Sequence, residues 1–335
     1  MTKTLVRRLA WALFVVWATT SLAFVVNNVL PSDPARMVAG PQARPQDVAR
    51  IRAQLGLDRP LAVQYGAFMR RLVHTGPASV DPKDKEHGTC AALGPVHLDF
   101  GKSYQQRRPV VQIVAERLPR TVLLAFAALF VQVLAGTSLG VIAAVRRGRP
   151  ADHAAVATSL LGISAPTFVI GLLLQWLFAH RFGLLPLDGY GQGAAEHAVS
   201  VILPALTLGI FGAAYTTRLV RDEMIDQLKM DHVRTARAKG LSLGAVYLRH
   251  ALRNALVPLV TLIGLDLGAL VGGAIVTETL FRWPGLGALS VAAMLDRDGP
   301  VIMATVIVAS ASIALSNVLV DVAYAVLDPR VRKAT

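Results

Sequence analysis

Six stretches of this chain run for 20 to 26 residues with almost no charge: 9–29, 121–145, 154–179, 198–217, 255–277 and 299–320, the fifth interrupted only by Asp266. At 1.5 Å per residue, each is long enough to cross the ~30 Å hydrocarbon core of a bilayer as a helix. Charged residues are 16% of the sequence, well below the ~25% of a soluble domain. The chain therefore reads as an all-α integral membrane protein with six transmembrane helices, which puts both termini on one side.

The net charge of +13 would suggest a nucleic-acid partner in a soluble protein. Here the basic residues cluster beside the apolar runs and leave no soluble basic face, so a nucleic-acid role is excluded. Lys3, Arg7 and Arg8 precede the first run, Arg146, Arg147 and Arg149 follow the second, and Arg330, Arg332 and Lys333 lie in the tail. The segment after the fourth run carries Arg218, Arg221, Lys229, Arg234, Arg237, Lys239, Arg249 and Arg253, whereas the opposite short loops hold only Arg181, Arg282 and Arg297. Positive charge collects on the cytoplasmic side, so both termini and the segment 218–254 are expected there. The first run is long for a secretory signal, and Asn27-Asn-Val-Leu-Pro31 offers no small-x-small cleavage site, so it reads as a retained span. Cys90 is the only cysteine, which rules out a disulfide within the chain.

These boundaries divide the chain into an N-terminal tail with the first span (1–30), an extracytoplasmic helical segment (31–119), a core of five spans (120–327) and a cytoplasmic tail (328–335). In the outer segment, Pro45 opens a helix with Val48, Ile51 and Leu55 on one face and Gly56 as its stop. Pro60 opens another carrying Leu61, Tyr65, Phe68 and Leu72, and Val110, Val114 and Leu118 form a third face leading into the second span. Residues 75–96, rich in Gly, Pro, Asp and Lys, read as a surface insertion. His74, His87, Cys90 and His97 lie around it at spacings that match no standard ligand pattern, so no metal is assigned.

The cytoplasmic loop contains Asp231-His-Val-Arg-Thr-Ala-Arg-Ala-Lys-Gly240. Residues 224–239 lack Pro and Gly and are helix-compatible, with Gly240 suited to a left-handed stop. Ala236 and Ala238 would let another backbone approach, flanked by Arg234 and Arg237. Asp266, the one acid inside a span, is either a group on a solute path or one side of a packing hydrogen bond. Gln175 and Thr207, polar residues in the third and fourth spans, are further path candidates. No catalytic set is visible: Asp266 stands alone, and no His lies well inside a span. The nearest imitation of a phosphate loop, Gly94 to Ser103, separates its glycines by six residues where the motif requires four.

Several motifs, in order, carry a resemblance: Leu30-Pro-Ser-Asp-Pro34, Leu55-Gly-Leu-Asp-Arg-Pro60, Asp99-Phe-Gly-Lys-Ser-Tyr104, Glu116-Arg-Leu-Pro119, Ser164-Ala-Pro-Thr-Phe168, Ile202-Leu-Pro-Ala-Leu-Thr-Leu208, Glu278-Thr-Leu-Phe-Arg-Trp-Pro-Gly-Leu-Gly287 and Asn317-Val-Leu-Val-Asp-Val-Ala-Tyr-Ala-Val-Leu-Asp-Pro-Arg330. The chain resembles, nearly end to end, the B-type permease subunit of bacterial ABC importers for dipeptides, oligopeptides and nickel. At the family's cytoplasmic signature, Arg234-Thr-Ala236 stands where the consensus has Glu-Ala-Ala, and Gly240 stands at its Gly. His232 replaces a usual Tyr and Ser32 a usual Gly.

The resemblance implies a type I permease fold in the bacterial inner membrane. It implies a coupling helix over Asp231, Arg234, Thr235, Ala236, Arg237, Ala238, Lys239, Gly240 and Leu241, seated in a cytoplasmic ATPase. Implied partners are a second homologous permease, two ATPase subunits and an extracytoplasmic solute-binding protein. ATP and Mg would be bound by the ATPases and no cofactor by this chain. Gly264, Gly268 and Gly272 are expected to pack against the companion permease. Glu278, Arg282 and Trp283 are expected at the outer end in a structural role first, with Trp283 in the interfacial belt. A short peptide is the expected cargo, with nickel or another small solute as the alternative. A membrane enzyme and a non-transporting receptor are the rival classes.

Overall fold

The computed structural model describes residues 2–29, 34–40, 42–76 and 88–327. Of the positions singled out above, Leu30, Pro31, Ser32, Asp33, residues 77–87 of the insertion, His87 among them, and the tail 328–335 lie outside them. The helices are α1 (Thr2–Val29), α2 (Pro34–Ala39), α3 (Pro45–Gln54), α4 (Leu61–Leu72), α5 (Val110–Val145), α6 (Pro150–Ser164), α7 (Thr167–Leu174), α8 (Ala194–Ser200), α9 (Ile202–Gln227), α10 (Asp231–Ala238), α11 (Leu243–Ala245), α12 (Leu252–Ala255), α13 (Val257–Val271), α14 (Ile275–Leu280), α15 (Leu286–Leu295) and α16 (Gly299–Leu327). π-Helical turns extend α7 over Gln175–Arg181 and join α11 to α12 over Val246–Ala251.

The parallel pair α5 and α9 is the centre of the bundle. It closes tightly because glycines face the partner helix: a Cβ on Gly136 would sit 2.5 Å from Thr216 Cβ, and one on Gly209 would sit 2.5 Å from Val131 Cβ. Apolar driving force between helices is weak in lipid, so such close backbone approach is what holds them together. α6 and α7 pack on α9, α13 lies between α5 and α16, and α1 covers α16. The outward faces of α1, α5 and α7 are apolar, with Trp11, Phe14, Trp17, Phe126, Phe130 and Leu173 exposed, as a lipid-facing surface requires.

Among the described residues, four helices are long and apolar enough to cross a bilayer alone, and six spans result if each of two bent pairs counts as one. The third run is not straight: Pro150–Ser164 meets Thr167–Arg181 at 105°. Pro166 causes this break, holding Ala165 in the extended region (φ −78°, ψ 128°). The fifth apolar run also ends sooner than its composition suggests. α13 stops at Val271, and Gly273 turns with φ +118° so that its backbone passes close to Gly287, placing Thr277 in the separate helix α14.

α5 is 36 residues long, about 54 Å at 1.5 Å per residue, so it continues past the bilayer and carries the outer segment on its first turns. Val110, Ile113 and Val114 are buried there with Leu286, Leu289 and Val301. Asp298, just before α16, clamps the loop entering α5: it accepts from Ser103 Oγ, from Tyr104 N at 3.1 Å and from Gln105 N at 3.3 Å. Burial pushes the neighbouring Tyr104 phenol above its ordinary pKa, opposed by Arg71. α4 packs on α1 through the Phe24, Tyr65 and Phe68 rings and a 2.7 Å Ser21–Tyr65 hydroxyl contact. The insertion is not only loop. The strands β1 (Val73–Thr75), β2 (Ala91–Leu93) and β3 (Val96–Leu98) form a small antiparallel sheet in the order β1-β3-β2.

One polar clamp closes the end of the bundle nearest α10. Arg221 on α9 donates from Nε to Asp152 Oδ1 at 2.6 Å and from Nη2 to Oδ2 at 3.0 Å, and Gly148 N donates to the same carboxylate at 2.9 Å. Asp152 is 3% exposed, so removing its charge leaves a partly buried guanidinium without its bidentate acceptor. Asp152→Ala is therefore expected to cost about 3 kcal/mol, read as a fall of several degrees in the melting temperature of the detergent-purified protein. An unchanged melting temperature would show that solvent satisfies Arg221 equally well.

Candidate functional site

The basic loop is built as a short helix standing on the bundle. α9 ends at Gln227, and a turn closes through hydrogen bonds from Lys229 N to Asp226 O (3.1 Å) and Met230 N to Gln227 O (3.1 Å). Met230 is extended (φ −72°, ψ 151°), and α10 starts at Asp231, whose carboxylate suits a helix N-terminus. The sequence offered one helix-compatible stretch over 224–239. The structure divides it at 228–230, where no Pro or Gly marks the break.

α10 ends as Gly240 allows. Gly240 has φ +78°, its N–H donates to Arg237 O at 2.9 Å, and Leu241 N donates to Ala236 O at 3.4 Å. This is the paired closure of a Schellman stop, which an L side chain opposes at that φ. Two residues face the body of the protein. Val233 (0% exposed) and Ala236 (5%) lie in one cluster with Ala144, Val220, Met224, Ile225, Val246, Ala251, Ala255 and Leu259. His232 Nε2 adds a polar fastening, 3.2 Å from both His250 O and Asn254 Nδ2. Arg234, Thr235, Arg237, Ala238, Lys239, Gly240 and Leu241 are exposed, and Arg234 reaches Asp231 at 3.6 Å.

The expected role of Ala236 needs correction on this geometry. Ala236 does not offer a small surface to another chain, because its methyl is spent seating α10 on its own bundle. Ala238 is the small residue left outside. Helical phase explains the difference: Val233 and Ala236 are three apart and share a face, and Ala238 lies two positions further round.

Within the bundle, Asp266 is not alone. Gln132 on α5 donates from Nε2 to Asp266 Oδ2 at 2.6 Å and to Thr216 Oγ1 on α9 at 3.2 Å, joining α5, α9 and α13. Gln132 is 2% exposed and lies across Gly212, where a Cβ would come within 2.2 Å of its Oε1. Sequence reading missed Gln132; a lone amide in the second apolar run was the available signal. The other two path candidates do not join this group. Gln175 Nε2 donates to Leu187 O at 2.9 Å, and Thr207 Oγ1 donates to Leu203 O at 2.8 Å, so both satisfy local backbone.

Asp266→Leu would leave the Gln132 amide without its closest acceptor in an apolar setting, a loss of about 2 kcal/mol, whereas Asp266→Asn keeps an oxygen there. The first variant is expected to shorten the thermal half-life in detergent, and the second to stay near the parent. Equal half-lives for both would remove the hydrogen bond from the account.

The three span glycines pack inside this chain. A Cβ on Gly264 would lie 1.7 Å from Val320 Cγ2, one on Gly268 3.0 Å from Ile313 Cα, and one on Gly272 3.5 Å from Ala309 Cβ. They seat α13 on α16, which corrects their assignment to a companion permease. Glu278 and Trp283 are each 0% exposed. Glu278 accepts from Thr121 Oγ1 (3.0 Å) and Ala288 N (2.9 Å), and Trp283 Nε1 donates to Arg120 O (3.1 Å). Trp283 is thus a core residue under the outer end, not a member of an interfacial belt; Arg282, beside it, pairs at 3.3 Å with Asp188.

Residues 136–333 match the family model described as binding-protein-dependent transport system inner membrane component, and residues 1–125 match its N-terminal counterpart. A glutathione transport system permease protein of Salmonella paratyphi A is 41% identical over 311 residues, 93% of this chain and 92% of that protein. A Brucella abortus protein provisionally named as a peptide transport system permease is 38% identical over 335 residues, covering 99% of each. Among solved structures, the MetNI methionine ABC transporter in inward-facing conformations aligns with a TM-score of 0.54 and 18% identity. That alignment covers 66% of this chain and 98% of the other, and it supports the fold alone.

Proposed function

The chain belongs to the binding-protein-dependent transport system inner membrane components, a multi-pass permease subunit of an ABC importer, and from that premise we propose that it moves short peptides across the cytoplasmic membrane. It is a transport component and not itself an enzyme. Similarity over nearly the whole length to permeases named for glutathione and for peptide transport supports that cargo class. Both termini and α10 lie on the cytoplasmic side in this reading, as the distribution of Lys and Arg supports.

The observation that carries the mechanism is the seating of α10. Val233 and Ala236 join it to residues of α5, α9, α12 and α13 in one packed cluster, while its opposite face stays open. A helix so held transmits displacement because packed side chains cannot yield independently. Of two partner ATPases holding ATP and Mg, one would grip Arg234, Thr235, Arg237, Ala238 and Lys239. Their closure would carry α10 with the inner ends of α9 and α13 and switch access to the pathway between a second permease and this one. An outer solute-binding protein would deliver the cargo.

The test is uptake by liposomes holding this chain with its co-expressed permease and ATPases, fed labelled di- to pentapeptides or nickel, with and without the binding protein. ATP-dependent peptide uptake that requires the binding protein is expected. Nickel uptake without peptide uptake would overturn the cargo assignment.

A further inference from the structure

The small outer sheet gathers side chains that the linear sequence scatters. In the antiparallel register His74 stands directly opposite His97, and Ala92 faces His97 from the other side. Cross-strand partners project from the same face of a sheet, as do residues two apart on one strand. Cys90, two residues before Ala92, therefore falls on the face of the two imidazoles. The three side chains meet there: Cys90 Sγ is 3.5 Å from His74 Nε2, the His74 and His97 ring centroids are 5.4 Å apart, and one ligand atom from each of the three lies within 4.8 Å of the others.

We propose that His74, Cys90 and His97 form a binding site for one divalent cation of borderline softness, with zinc the best fit. Two imidazoles and a thiolate are the donor set that tetrahedral zinc prefers. Bond lengths near 2.0–2.3 Å put tetrahedral ligands about 3.3–3.8 Å apart, so the present spacing needs side-chain adjustment of only about 1 Å. The second shell also suits a metal. His74 Nδ1 lies 2.9 Å from Arg71 O; as a donor it leaves Nε2 to face the thiol and the ion. His97 is 0% exposed, which fixes one ligand, while His74 and Cys90 are partly exposed and give an ion access. His74 and Thr89 also line an outer cavity of about 1100 Å³.

Binding replaces the Cys90 S–H bond by a metal–sulfur bond and releases that proton to water. The ion would tie all three strands together, since β1 and β3 supply the imidazoles and the residue before β2 supplies the sulfur. This site is independent of the transported cargo.

Cys90 is the chain's single thiol, so alkylation of the full-length purified protein reads the site directly. Zn²⁺ at low micromolar concentration is expected to slow maleimide labelling of Cys90 by at least tenfold, and Mg²⁺ at the same concentration to leave it unchanged. His97→Ala should abolish the protection although the thiol remains. Because that buried substitution could unfold the sheet, His74→Ala provides a second variant with the same expected loss. Cobalt substitution should give a thiolate charge-transfer band that Cys90→Ser removes. Labelling unaffected by Zn²⁺ in the parent would overturn the proposal, as would equal protection in both histidine variants.

Discussion

Gly240→Pro is expected to reduce ATP-driven uptake to background, at least a hundredfold below the parent, while the chain still inserts and accumulates in the membrane. Gly240 holds φ +78° and donates the 2.9 Å bond to Arg237 O that closes α10. Proline fixes φ near −65° and has no N–H, so the stop cannot form and the chain leaves α10 in another direction. The spans do not depend on that turn, because a Cβ at Gly240 would meet nothing within 4 Å. Gly240→Ala provides the graded comparison: it keeps the N–H and costs about 1 kcal/mol for the left-handed backbone, so partial uptake is expected. Parental uptake by Gly240→Pro at normal expression would remove α10 from the transport mechanism.

Gly264→Leu should have the largest effect on the fold itself. A Cβ alone would already fall 1.7 Å from Val320 Cγ2 and 3.2 Å from its Cβ. Val320 is β-branched, so it has little rotamer freedom with which to retreat. α13 and α16 would have to separate, at a cost of about 3 kcal/mol or more, and the polar link from Asp266 to Gln132 would be strained with them. The expected result is aggregation on detergent extraction, or a melting temperature lowered by many degrees. Val320→Ala in the same chain should recover part of the loss, because it vacates the overlapping volume. No recovery would place the stress elsewhere than at the α13–α16 contact.

The bundle was legible because a bilayer admits few solutions: a charge-free run of sufficient length must be a buried or lipid-facing helix. The outer helices at Pro45 and Pro60 were also legible, since proline starts and glycine stops are local signals. What the sequence left open depends on partners distant along the chain. Exceptions are the 105° break at Pro166 and the early end of α13 at Gly272 and Gly273, which carry local proline and glycine signals that the charge-free runs around them concealed. The glycines of α13 announced a close contact but not with which helix, and α16 of the same chain occupies it.

The candidate site divides in the same way. Gly240 was readable from its type and place. The inward turn of Ala236 was not, because it depends on the break at 228–230, where Leu228, Lys229 and Met230 carry no breaker. Asp266 stood out as a charge in a span, while its partner Gln132, uncharged and 134 residues away, did not. The three strands that bring His74, Cys90 and His97 together are three residues each, too short for an alternating pattern to register.

The central claim, that the exposed face of α10 is the seat of an ATPase, is tested most directly by a photo-reactive residue placed at Ala238 in the co-expressed complex. Irradiation is expected to join position 238 to the ATPase subunit, with a yield that changes when ATP is added, while the same probe at Thr89 in the outer segment gives no such adduct. Absence of an ATPase adduct at 238 in an assembled, ATP-hydrolysing complex would contradict the account.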